Sequence, residues 1–568
     1  MGAGSILFTL VTCALFMGLV AWISWLKTRG SVDSREGYFL AGRGLGATFI
    51  AGSLLLTNLS AEQLIGLNGS AYGYDLSSMA WEVTAAVATI AMAFLFLPRY
   101  LAGAFTTLPE FLNDRFDPTV RRMSVVLFML GYGLVTIPSV LYSGSIAVMQ
   151  LFAVPTLTGL AYFPALVVTV IVIGVTGAIY AVFGGLKAVA VSDTLNGIGL
   201  LAIGILVPVL GLMALGDGSF GDGFDRLVSD HPEKLDAIGG ADSPTPFGTI
   251  FTGMIFANLF YWCTNQYVIQ RTLGAQSLAE GQKGVLFSGF FKVLVPFLMM
   301  IPGVIAFHLY GPGLATIDQA YPRLIQDVLP LWLSGFFLAV LLGAVFSSFN
   351  SLLNSAATLF SLDVYAPACK TTPSDGELIR VAKIASVVIA LFSFAVAPLL
   401  YFAAEGLWQV IRVFTGFYNI PTVAIVIIGL FTRRVPALGA KVAIVFHVVV
   451  YGLLRFVLDD VVTLHFLHQY ALLFIAEIAI MLGIGWWRPR EQSWSFTPRA
   501  EVDMTPWRFA KPLAITLFSC VVALYILFSP IGFASATGPG ALLPGLLGAL
   551  ALGNLAMWLW ASSRARAS

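Results

Sequence analysis

Fifteen apolar runs of roughly 20 residues follow one another along this chain, and no other feature restricts its fold so tightly. They lie at about 5–26, 46–68, 77–100, 121–152, 162–182, 187–215, 247–269, 282–309, 327–362, 379–402, 403–431, 436–457, 464–487, 509–529 and 541–561. A helix rises ~1.5 Å per residue, so each run covers a ~30 Å hydrocarbon core. Backbone polar groups in that medium must be satisfied internally, and runs of this length do so as helices. Only 10% of residues are charged, against ~25% in soluble domains. The expected class is an all-α, multi-pass protein whose first partner is the lipid bilayer.

The Lys/Arg bias of cytoplasmic loops predicts the orientation. With the N-terminus outside, the inner connections hold Lys27, Arg29, Arg35 and Arg43, then Arg99, Arg115, Arg121 and Arg122, and then Lys187, Arg271 and Lys283. The later ones hold Lys370, Arg380, Lys383, Arg433, Arg434, Lys441, the basic residues of 488–511, Arg564 and Arg566. Outer connections hold chiefly Arg226, Lys234 and Arg323. This reading gives a cell inner-membrane protein with a cytoplasmic C-terminus. The opening stretch lacks a basic n-region and reads as a retained span. The segment 215–246 reads as a solvated outer loop, and 488–508 as a polar inner linker.

Lys plus Arg is 30 and Asp plus Glu is 29, which points to no nucleic-acid partner. The cysteines and histidines are scattered, without disulfide or metal-ligand spacing. There is no HExxH, GxSxG or P-loop pattern, so an enzyme is not expected. GRGLGA at 42–47 lacks the βαβ context of a dinucleotide site.

Ionisable residues inside spans are Glu62, Glu82, Asp193, Lys292, Arg412 and Glu477. Each costs roughly 2.5–3.5 kcal/mol at a helix centre and so marks a functional candidate. Glu477 reads equally as a helix-packing contact. NLSAEQ puts Asn58, Ser60, Glu62 and Gln63 within six residues. Residues 257–273 hold Asn258, Tyr261, Trp262 and Asn265, with Asn258, Trp262 and Asn265 on one face. That face suits a sugar's hydroxyls and C–H surface, or else a polar helix contact beside an aromatic belt. Ser347, Ser351 and Ser355 form a stripe. Small hydroxyls let helices approach closely; alternatively Ser347 and Ser348 offer oxygens to a monovalent cation. The second and seventh spans are five apart, where a five-plus-five inverted repeat places its two broken helices. A break is expected just after Leu56.

NLSAEQLIG (58–66), TLPEFLNDRF (107–116), YAVFGGLKAVAVSD (180–193), ANLFYWCTNQYVIQRTL (257–273), FKVLVPF (291–297) and SSFNSLLNSAATLFSLDVY (347–365) resemble the sodium/solute symporter family, closest to its bacterial sugar-carrying branch. The likeness runs in order from about residue 35 to 435. It implies the leucine-transporter fold. One leading helix and an inner loop (1–45) would precede a ten-helix core (46–431, repeats about 46–215 and 247–431). Accessory helices (432–568) would follow.

The resemblance further implies a sodium site made by the carbonyls of Leu56, Leu59 and Ala344 and the hydroxyls of Ser347 and Ser348, with Asp193 near the ion path. Gln63, Glu82, Asn258 and Lys292 match sugar-hydroxyl positions, and Trp262 and Asn265 adjoin them. Tyr261, held by Asn58, matches the inner gate. Leu67, Trp81 and Trp408 match the outer gate. Arg412 stands where that branch has a sugar-binding glutamine, and Ala85 where it has a serine. Arg412 either pairs with Glu82 while reading the hydroxyls of a neutral hexose or polyol, or binds the carboxylate of a uronate or sialate. The expected function is sodium-coupled import of a sugar. A non-transporting sugar sensor is the rival, and a homo-oligomer is compatible with the reading. Asp193 and Glu82 would serve proton coupling; the serine pair has no titratable proton and favours sodium.

Overall fold

The computed structural model describes residues 3–28, 34–241, 243–314, 316–402, 407–459, 461–495, 498–499 and 502–567. Among them, twelve helices are long and apolar enough to cross a membrane. The other three expected spans are a helix pair bent by 58°, the short apolar helix Tyr162–Ala178 and an interrupted helix over 253–273.

The leading helix α1 (Ala3–Thr28) precedes the bent pair, α2 (Ala47–Asn58) and α3 (Ala61–Gly73). The break falls at Leu59 and Ser60, three residues beyond Leu56. Ser60 is extended, with φ −92° and ψ 171°. Its N–H donates to Asn58 O at 3.0 Å, and the Gln63 N–H donates to Ser60 O at 3.1 Å. A continuous helix would have directed those two donors to the carbonyls of Leu56 and Leu59. Short polar side chains such as Asn58 and Ser60 compete with helical bonding, and non-helical backbone at membrane depth persists where it lines a polar cavity. Both carbonyl-bearing residues are fully buried.

Helix α4 (Pro118–Leu130) starts at an Asp117 cap. Helix α5 (Tyr162–Leu215) has 54 residues in helical conformation, about 80 Å of rise, and so supplies two spans. Its second half meets α2 at Gly52, where a Cβ would come within 3.0 Å of the Thr194 Cα. Only glycine permits that approach.

The seventh span is also broken. After α6 (Gly253–Leu259) comes a widened π-type turn, Phe260–Thr264. Asn265 is extended (φ −76°, ψ 117°) and caps the short α7 (Gln266–Leu273). Helices α8 (Leu278–Met299) and α9 (Leu331–Thr358) pack against the broken pairs. The span containing α9 is almost wholly buried among the other helices, whereas Leu542–Arg564 is almost wholly exposed. Helix α10 (Leu407–Phe431) closes the core, and α11 (Ala437–Phe456) and α12 (Phe466–Trp487) pack outside it.

Three expectations need correction or settlement. The segment 215–246 is not a plain solvated loop: it folds into the helix Phe220–Ser229 and the turn Pro232–Leu235. Lys234 there donates to Tyr72 O at 3.0 Å and Tyr74 O at 2.8 Å, placing a cation at the C-terminal end of α3, where the helix dipole favours it. Arg271, counted among loop residues, is fully buried on α7. Glu477 pairs with His447, whose Nε2 lies 3.0 Å from Gly416 O; it is a helix-packing contact joining α11 and α12 to α10.

Candidate solute and cation site

The two breaks face one cavity of about 910 Å³ including its opening, within the ~300–1,000 Å³ of small-molecule sites. Seven of the eight sequence-predicted substrate residues line it: Gln63, Glu82, Asn258, Tyr261, Trp262, Asn265 and Lys292. The eighth, Arg412, has its side chain outside the described residues, as does Trp408. Asn58, Trp81 and Ala85 also line the cavity. Leu67, expected at the outer gate, is buried on α3 and is not among the residues that line the cavity. Leu67 lies on the same face of α3 as Gln63, one turn further along.

Glu82 and Lys292 form a buried ion pair, with side chains 3% and 1% exposed. Gln63 Nε2 donates to Glu82 Oε1 at 2.9 Å. Both oxygens of Glu82 thus have partners among the described residues, and the expected pairing of Arg412 with Glu82 lies outside them. Lys292 sits 5.7 Å over the Trp262 ring. Asn258 Nδ2 donates to Thr84 Oγ1 at 2.8 Å. At the far wall Tyr267 donates to the Tyr261 hydroxyl at 2.8 Å, and Tyr132 donates to Asn265 Oδ1 at 2.5 Å.

Three amide oxygens on this wall, those of Asn58, Gln63 and Asn419, are buried and have no hydrogen-bond partner among the described residues. The Gln63 oxygen is fixed as an acceptor, because its amino group is committed to a carboxylate. Buried acceptors of this kind cost about 1–3 kcal/mol each when unmet.

Beside the cavity, Ser348 Oγ donates to Thr57 O at 3.5 Å, next to the freed Leu56 carbonyl. Ser347, Ser348 and Ala344 are all buried on α9, and Ser347 lies beside the Asp193 carboxylate. Asp193 is fully buried and accepts from Ser53 Oγ at 2.7 Å. The donor set is all oxygen, which suits a hard cation.

Residues 38–446 match the model of the sodium:solute symporter family. The chain belongs to the sodium:solute symporter family. It is 45% identical over 511 residues to the uncharacterized symporter YidK of Escherichia coli K12, covering 90% of this chain and 89% of that one. It is 32% identical over 458 residues to the sodium/glucose cotransporter of Vibrio parahaemolyticus, covering 76% and 81%. With the human sodium/myo-inositol cotransporter 2 it shares 30% over 481 residues, 79% and 69% of the two chains. A sodium-coupled sialic acid symporter in a substrate-bound outward-open state matches the fold at a TM-score of 0.75 and 20% identity, covering 86% of this chain and 99% of that one. The symporter therefore has the leucine-transporter fold, uses sodium, and moves a small solute across a membrane; it is not an enzyme.

Sequence reasoning missed Tyr132, Tyr267, Thr84, Thr136 and Asn419, which line or brace the cavity. Asn419 follows Tyr418 in an apolar run, a signal of the same kind that singled out Asn58. Tyr132 lies between two glycines, where only its phenol carried a hint.

Proposed function

We propose that this symporter imports a neutral polyhydroxylated solute, a hexose or polyol, with sodium. The observation that carries the reading is the fixed, unpaired Gln63 oxygen, joined by those of Asn58 and Asn419. These acceptors call for hydroxyl donors, and the Lys292 cation that a substrate carboxylate would seek is already paired with Glu82. The Glu82–Lys292 pair offers one acceptor group and one donor group side by side, which suits adjacent hydroxyls. The rings of Trp262 and Tyr261 offer faces for the C–H surface of a pyranose or cyclitol. The glucose and myo-inositol named for the Vibrio and human relatives belong to this class.

Sodium is assigned to Leu56 O, Leu59 O, Ala344 O and the hydroxyls of Ser347 and Ser348. The reading is supported by the two carbonyls released at the break and by Ser348 at its edge. Sodium bound there would fix the break between α2 and α3, and with it Asn58 and Gln63, so ion binding would build the sugar site. The N-terminus is assigned outside and the C-terminus to the cytoplasm from the basic loops. A 100 mV potential contributes ~2.3 kcal/mol per charge and a tenfold sodium gradient ~1.4, enough for a roughly 500-fold solute gradient at one ion per solute.

The test is uptake into proteoliposomes, with sodium against choline outside, screening hexoses, cyclitols, uronates and sialate. Sodium-driven uptake of neutral polyols is expected. Uptake restricted to the acids would transfer the site to Arg412 as a carboxylate reader. Saturable binding without uptake would make the protein a sensor.

A further inference from the structure

Helix α7 is eight residues long and buries every one of them. Thr272 bonds back to Ile269 O of the same helix, and Arg271 also donates to Tyr267 O, but Gln266, Gln270 and Arg271 reach other elements. Gln266 accepts from the Leu108 N–H at 2.8 Å. Gln270 donates to Phe39 O at 2.9 Å and accepts from Ser355 at 2.6 Å. The centre of this pattern is Arg271. Its Nε donates to Ser53 Oγ on α2 at 3.0 Å, its terminal nitrogen donates to Ser351 on α9, and Asp193 on α5 stands 4.0 Å away. One guanidinium therefore ties α7 to three helices. A buried charge network is costly to form and strongly destabilising to half-break, so its partners set whether α7 stays docked.

Those partners lie one bond from the proposed ion ligands. Ser351 Oγ is 3.4 Å from Thr57 Oγ1, and Thr57 O is the group that Ser348 reaches. Ser351 is one turn from Ser347, and Ser53 is one turn before the freed Leu56 carbonyl. An ion that fixes α2 against α9 also fixes two of the three acceptors around Arg271.

We infer that Arg271 is the positioning residue that transmits sodium occupancy to α7, holding this half-helix docked while the ion is bound and releasing it when the ion leaves. The inference rests on the sodium site proposed above. Arginine is suited to it: its planar fork reaches several acceptors at once, and it keeps its charge when buried. Lysine would keep the charge but gather its donors on one nitrogen.

The experiment uses the full-length protein in lipid nanodiscs. Hydrogen exchange of the amides of residues 265–273 is measured in sodium and in choline, and sodium affinity is read from the thermal midpoint. In the wild type, sodium slows this exchange by about tenfold. In Arg271→Gln the sodium midpoint stays within about threefold of wild type while the sodium-dependent slowing falls below about twofold. Ser351→Ala gives the same loss from the acceptor side, and Arg271→Lys restores part of the slowing. Should Arg271→Gln not fold, the other two variants carry the test. Full sodium protection in the variants overturns the inference, and so does loss of sodium binding in proportion, which would place Arg271 in the ion site. A wild type without sodium protection that still shows sodium-driven uptake overturns the inference and leaves the proposed function standing. A wild type with neither overturns both.

Discussion

Gln63 holds its side-chain amide 2.9 Å from Glu82 Oε1, and Lys292 takes the other oxygen of the same carboxylate. The three side chains come from three helices and are nearly all buried. Glu82→Gln removes the negative charge and leaves Lys292 buried without a counter-charge, a change worth about 3–5 kcal/mol. Both the thermal midpoint and uptake should fall, the latter by about 100-fold or more. The double variant Glu82→Leu with Lys292→Met removes both charges, so the midpoint should recover while uptake should not. Recovery of uptake in the double variant would show that the pair only packs.

Much of this arrangement was legible in the sequence, because polar residues in hydrocarbon are rare enough to be read singly. Asn58, Gln63, Glu82, Asn258, Tyr261 and Lys292 were singled out, and all six line one cavity. The break in the second span was legible for the same reason, since four polar residues in six are incompatible with a lipid-facing helix. Arg271 was not legible. A charge near the end of an apolar run is ordinarily a snorkelling loop residue, and only the turn of α7 back into the core makes it a network centre. The 215–246 segment misled in the opposite sense: its Gly, Asp and Pro content signals turns, not exposure, and its packing comes from Lys234 capping a helix many residues away.

Ser348 is the proposed sodium ligand that touches both the ion side and the cavity. Removing its hydroxyl should cost the ion about one ligand, near 1.4 kcal/mol or tenfold in half-maximal sodium concentration. Ser348→Ala should therefore shift the sodium dependence of uptake to higher concentration with little change in the midpoint in choline. Ser347→Ala should do the same. An unchanged sodium curve in both would remove the serine pair from the ion site.

Asp117 couples the core to the accessory helices and makes stability depend on pH. It caps α4 by accepting from the Thr119 and Val120 N–H groups, both at 2.9 Å, and pairs with Lys441 of α11 at 2.5 Å. Partial burial pushes its carboxyl up, but the Lys441 ammonium and the two N–H groups outweigh that and hold it below the usual 3.8. A depressed carboxylate stabilises the folded state above its unfolded value, and that contribution is lost as pH falls through the folded one. The thermal midpoint of the wild type should drop between about pH 5 and pH 2 by more than that of Asp117→Asn, which keeps the cap but not the charge. Asp117→Ala should lose about 1 kcal/mol at neutral pH. Parallel pH curves for wild type and Asp117→Asn would refute the linkage.

Tyr132 braces the second break. Its hydroxyl donates to Asn265 Oδ1 at 2.5 Å and accepts from the Tyr267 N–H at 3.3 Å, while the Tyr267 hydroxyl donates to Tyr261 at 2.8 Å. The non-helical residue and the proposed gate ring are thus held through one phenol. Tyr132→Phe keeps the ring, which packs edge-on to Tyr267 at 5.7 Å, and removes the bonds, leaving the buried Asn265 oxygen unmet at about 1–3 kcal/mol. The closed position of Tyr261 should become less populated by about 5- to 100-fold. Solute efflux from loaded proteoliposomes without sodium should rise, and the coupling of sodium to solute flux should fall. The sodium concentration for half-maximal binding should stay near its wild-type value, because no proposed ion ligand touches Tyr132. A variant with unchanged leak would mean that Tyr261 is held by its own packing, and the phenol chain would then be structural alone.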